Sequence, residues 1–216
     1  MRDRYSLIVG LFFAAIIAIA VINTLESKDE GTLGLDKAVR RWPLPEFAVP
    51  RAVGPLEGDA NVAQDDCESA QTPCSHPRRP ACRIDAPGAI RVCDFFGLPM
   101  VLSFWFAHGG NCVEEQDVVD RVYARYRGRV SFLSLNVRDD RDTVRELVHS
   151  HGWRMPVGYD RDGAVGSLYR VGGCPTFAYA YPGGTLQEAS TGELSVAQLE
   201  THVRALLRAT GAAEAG

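Results

Sequence analysis

The chain has 216 residues, 46% of them hydrophobic, and a formal charge of −4. That length carries one well-buried core with extensions, and the acidic balance, with no clustered basic patch, excludes a nucleic-acid partner. Six cysteines are present, a number that fits an oxidising compartment better than a reducing one unless the thiols hold metal or do chemistry.

From the N-terminus, Tyr5 to Leu25 is uncharged and long enough to cross a hydrocarbon core of about 30 Å. Arg2 and Arg4 precede it and Glu26, Asp29 and Glu30 follow, so the body of the protein is expected outside the cell membrane behind a single-pass N-terminal transmembrane helix. Ala18-Ile19-Ala20 offers the competing reading, a cleaved signal peptide, although apolar residues continue past it to Leu25. Either way the cysteines reach an oxidising space. Residues 26–45 read as a linker and residues 46–80, rich in proline and without a sustained period, as an extended loop region.

ACRIDAPGAIRVC, residues 81–93, reads as a hairpin around Pro87-Gly88, which sets Cys82 opposite Cys93. A structural disulfide between these two is expected, leaving Cys67 and Cys74 for a local bridge in the loop. The cysteine spacings match no paired zinc knuckle, and no metal or cofactor is expected.

Val101 to Phe106 has the aromatic and β-branched content of a buried strand and runs through His108-Gly109-Gly110 to Cys112. Asn111 to Arg127 follows as a helix, with Asn111 and Glu114 as its capping box. Strand Arg129 to Val137, helix Asp142 to Gly152, a short strand at Val157 to Tyr159 and a short helix at Gly163 to Tyr169 come next. Asp160-Arg161-Asp162-Gly163 looks like part of a calcium loop but lacks the later ligands and reads as a turn. Thr176 to Tyr181 and Thr185 to Ser190 form a hairpin over Pro182-Gly183-Gly184. Ser195 with Gln198 opens a last helix carried by Leu199, Val203, Leu206 and Leu207. This order predicts an α/β fold with a central mixed sheet.

VLSFWFAHGGNC and YDRDGAVGSLYRVGGCPTFAYAYPGG resemble the strand, active-site loop and cis-proline segment of the thioredoxin superfamily, specifically its membrane-anchored TlpA and ResA-type thiol-disulfide oxidoreductases. The resemblance implies a thioredoxin-like domain over residues 81–210, and the anchor at 1–25 fits it; residues 211–216 are expected to be a disordered tail. It implies a protein thiol or disulfide as redox partner. It also locates a departure: Gly109 stands where the family has its first cysteine, and Cys112 matches the second. Because the residue before the family's cis-proline lies beside the active-site thiols, Cys174, ahead of Pro175, is the compensating candidate. Cys112 and Cys174 then form a redox pair, a permanent structural bridge, or two unlinked thiols. Cys112 falls at a helix start, which favours a thiolate, and His108 is a candidate proton acceptor. Pro175 would shape the substrate groove. The alternatives to thiol-disulfide exchange are a catalytically silent binding or scaffold module and a peroxiredoxin-like peroxidase.

Overall fold

The computed structural model describes residues 42–57, 80–108 and 110–211, together with 13, 15–17, 68–69 and 72–73. The calls on Cys67, Cys74, Gly109 and the 212–216 tail lie outside these residues, as does most of the anchor at 1–25. Among the described residues no helix is long and apolar enough to cross a membrane.

The core of the molecule is a five-stranded mixed sheet. Its strands are β3 (Met100–Trp105), β4 (Ser131–Val137), β5 (Val157–Asp160), β6 (Thr176–Tyr181) and β7 (Thr185–Thr191), in the order β5-β4-β3-β6-β7. β4 runs parallel to β3 and to β5, whereas β6 is antiparallel to β3 and β7 to β6. The central strand β3 is buried along its whole length, and its alternation divides its side chains between two cores. Val101 and Trp105 face one core with Val119 and Val122 of helix α1 (Cys112–Tyr126) and Leu199 and Val203 of helix α4 (Val196–Ala209). Met100, Leu102 and Phe104 face the other, against Phe47, Ile90 and Tyr169.

That second core changes the reading of the N-terminal part. Residues 46–80 read as a loop, but Ala48–Pro50 is a fully buried strand, β1, which pairs antiparallel with β2 (Ala89–Arg91). Tyr169 donates its hydroxyl proton to the Pro45 carbonyl at 2.7 Å, tying the same segment to the domain. Three residues are too few to show a period, and so only packing reveals them.

The pairing also corrects the hairpin at 81–93. Its turn is present, with Gly88 at φ 89° and Ala89 N–H donating to Ala86 O, but its arms do not pair. Ala81–Arg83 and Val92–Phe95 are 3-10 turns, and β2 has β1 as its partner instead. A passing strand satisfies the backbone groups that a hairpin arm would have used.

Helix α2 (Arg141–His151) is capped by Asp140, which accepts from the backbone N–H of Asp142 and Thr143, and it ends at Gly152 in the left-handed conformation. The capping box of Ser195 and Gln198 is present at α4. The one expected at α1 is not: Asn111 makes no side-chain cap, and its amide donates instead to Glu193 Oε1 at 3.0 Å.

The last residue of β5 carries a buried carboxyl. Asp160 Oδ2 accepts from Gly166 N–H at 2.8 Å at the start of α3 (Ala164–Leu168), and burial, only partly offset by such N–H donors, pushes the carboxyl up to about 6. An acid raised on folding favours the fold at pH below its unfolded value, and that contribution is lost as pH rises through the folded one. Stability is therefore expected to fall by about 2 kcal/mol between pH 4 and 7 on this account. Asp160→Asn keeps an acceptor for Gly166 and should flatten that slope. Urea midpoints measured across the interval check it, and parallel slopes in the two proteins would contradict it.

Candidate functional site

Sheet topology brings the two thiols together. β6 is the antiparallel neighbour of β3, with Phe104 opposite Thr176, so the end of β3 lies beside the start of β6. The chain leaving β3 enters α1 at Cys112, and the chain entering β6 passes through Cys174 and Pro175, whose connecting peptide bond is cis. The two cysteines, 62 residues apart in sequence, are joined as a disulfide with Cα atoms 5.8 Å apart, a normal separation for that bond. Cys112 is 3% exposed, whereas Cys174 is half-buried and Pro175 is buried. Phe106, Val113, Leu194 and Val196 form a partly buried apolar rim packed against the same core.

The approach to Cys112 is pinned from the β4–α2 turn. Arg138 holds a left-handed φ of 67°, and the next residue, Asp139, is buried. Its Oδ2 accepts from Ala107 N–H and, at 2.6 Å, from Asn136 Nδ2. Its Oδ1 pairs with His108 Nδ1 at 2.9 Å. His108 is otherwise exposed, with 83% of its side chain open to solvent. This carboxylate thus ties down Ala107 and His108, on the approach to Cys112. Gly110 takes a φ of 64°, and a Cβ there would lie 4.0 Å from Cys112 Sγ.

A second buried acid lies one turn into α1. Glu115 is 7% exposed and accepts from Leu194 N–H at 3.2 Å. Burial raises its carboxyl, and neighbouring Glu193 adds to this against the opposing pull of the Leu194 N–H and Arg121. At i+3 from Cys112 it shares a helix face with the thiol. On the central strand, Ser103 joins a neutral buried cluster: its hydroxyl and that of Ser134 donate to Gln116 Oε1 at 3.3 and 2.8 Å.

Sequence reasoning missed the roles of Asp139 and Glu115. Asn136 is a near neighbour of Asp139, but its loop partners His108 and Ala107 come from 31 and 32 residues away and Glu115's partner Leu194 from 79, beyond any local pattern.

Cys82 and Cys93 form a second disulfide, with Cα atoms 5.8 Å apart. They pack against the core on the other side of the sheet, so the two bonds are separated by the sheet itself. Glu46 accepts from Cys82 N–H at 3.2 Å, and its carboxylate lies within 4.8 Å of both sulfurs. With the sulfurs bonded to each other, that group offers a metal only the carboxylate.

No protein-family model matches the chain. The thiol-disulfide oxidoreductase ResA of Oceanobacillus iheyensis is 25% identical over 115 residues, which cover 53% of this chain and 60% of that protein. ResA of Geobacillus kaustophilus is 26% identical over 117 residues, covering 54% and 67%. The match thus spans only about three-fifths of the Oceanobacillus protein. Among solved structures, a secreted thiol-disulfide isomerase from Corynebacterium glutamicum superposes with a TM-score of 0.59 at 16% identity, covering 81% of this chain and 90% of that one. MTB dsbF, solved in mixed oxidised and reduced forms, gives 0.50 at 27% identity, covering 55% and 87%. The fold is thioredoxin-like, and in sequence the chain is similar to the ResA-type thiol-disulfide oxidoreductases.

Proposed function

We propose that the chain carries out thiol-disulfide exchange with a protein thiol or disulfide, using Cys112 and Cys174 as its redox pair in place of the missing C-x-x-C. The observation that carries this reading is the disulfide between the first residue of α1 and the residue before cis-Pro175, at a partly exposed apolar edge suited to an extended peptide. Pro175, which contributes no backbone N–H, shapes the groove beside Cys174. Glu115, raised by burial on the Cys112 side, is suited to exchange a proton with that thiol. His108, held by Asp139, is a second proton acceptor at the mouth of the loop.

The uncharged run from Tyr5 to Leu25 after Arg2 and Arg4 supports an extracytoplasmic domain on a membrane anchor. Phe13, Ile16 and Ile17 within that run are helical and exposed, as a lipid-facing segment requires.

The test is a redox titration of the Cys112–Cys174 bond in the full chain, in detergent, against glutathione or dithiothreitol. A reversible midpoint well above about −300 mV is expected of an exchanger. Gly109 favours the second reading, a binding module that kept the groove and lost the chemistry, and a bond that resists reduction would establish that reading instead.

A further inference from the structure

We propose that Cys174 is the sulfur that takes up the substrate and Cys112 the sulfur that leaves, an assignment that rests on the exchange reading above. Three observations point the same way.

The first is access. Cys112 is 3% exposed, while Cys174 is half-buried and follows the exposed Gly172 and the half-buried Gly173. Neither glycine has a side chain to shield the sulfur, and a Cβ at Gly173 would come within 3.3 Å of Thr191 Cγ2. An attacking thiolate reaches the more exposed of the two cysteines.

The second is where the negative charge is tolerated after the bond breaks. Cys112 is the first residue of a 15-residue helix with no side-chain cap, since Asn111 is turned to Glu193. The first-turn N–H groups and the helix dipole therefore favour a thiolate at Cys112. Cys174 is followed by a proline, which supplies no N–H donor to a thiolate there. A better-stabilised thiolate is the better leaving group.

The third is the proton. Glu115 lies at i+3 from Cys112 and is buried beside Leu194, so a carboxyl able to exchange a proton shares the helix face of the leaving sulfur.

The step balances. A substrate thiolate forms a bond to Cys174 Sγ, the bond between the two protein sulfurs breaks, and its electron pair departs on Cys112 Sγ, which takes a proton from Glu115 or water. The substrate's second thiolate then attacks the substrate sulfur of the mixed disulfide, closing the substrate's own disulfide and releasing Cys174 as thiolate. The protein pair gains two electrons and the substrate dithiol loses two. In reverse, the Cys174 thiolate opens a substrate disulfide and Cys112 resolves it. In both directions the mixed disulfide sits on Cys174, the position next to the cis-proline, and the usual division of labour of an adjacent pair is not followed.

Glutathione serves as the probe. The oxidised full chain is mixed with reduced glutathione, quenched in acid during the reaction, and digested to find which cysteine carries the adduct. In parallel, Cys112→Ser and Cys174→Ser are treated with glutathione disulfide, with the double variant as background for the four other cysteines. The adduct on the wild-type chain is expected at Cys174, where exposure and leaving-group stability agree, and Cys112→Ser should gain it roughly tenfold faster than Cys174→Ser, a direction set by exposure alone because glutathione thiolate leaves in both variants. Adduct at Cys112, equal rates, or no adduct at either cysteine while the wild-type bond still titrates reversibly would overturn the assignment and leave the exchange reading standing. A wild-type bond that does not exchange at all would overturn both. The wild-type mapping decides the matter even if a serine variant fails to fold.

Discussion

Cys112→Ser and Cys174→Ser are each expected to lower the rate of thiol-disulfide exchange on the order of 10²-fold or more, because the dithiol cycle needs one sulfur to accept the substrate and one to leave or resolve. The same variants open a bond between residues 62 apart. In the chain-entropy account, losing that crosslink costs about 4 kcal/mol, or roughly 10 °C in Tm for a chain of this size. Cys82→Ser is the control: its bond closes a separation of only 11 residues, on the opposite side of the sheet. It should cost about 3 kcal/mol and leave the exchange rate near that of the wild type. Exchange kinetics and thermal unfolding on the same preparations separate the two roles. If all three variants lose stability and none loses activity, the Cys112–Cys174 bond is a staple.

Asp139→Ala is expected to cost about 2–4 kcal/mol and to slow exchange as well. The carboxylate accepts from Ala107 N–H and Asn136 Nδ2 and pairs with His108. Removing it leaves two donors in a largely buried site without their acceptor. It also frees the segment that leads into Gly109 and Gly110, so Cys112 is presented by a looser loop. Asp139→Asn keeps one acceptor oxygen but loses the charge opposite His108, so it should recover part of the stability. Urea unfolding read beside exchange kinetics checks this, and an alanine variant with an unchanged midpoint would rule the clamp out.

Much of the fold is legible locally. Val101 to Phe106 reads as a buried strand from its unbroken apolar and aromatic run, and Met100–Trp105 is the central strand. Ser195 and Gln198 announce α4 three residues apart, because a capping box is a contact between near neighbours. Asn111 follows the same rule in composition and breaks it in the structure. Glu193, 82 residues away, takes its side chain, and a tertiary hydrogen bond displaces the local one.

The candidate site divides along the same line. By itself the sequence determined the order of the strands and helices from Val101 onward, the two thiols and the proline, all of which are properties of short stretches. Only the tertiary structure decided that β1 fills the second core, that Cys82 and Cys93 meet from two 3-10 turns instead of across a hairpin, and that Asp139 holds the loop before Cys112. The junction of Cys112 with Cys174 belongs to this second group. It follows from the antiparallel placement of β6 beside β3, and strand neighbours are chosen by the burial of whole faces, which no local period encodes.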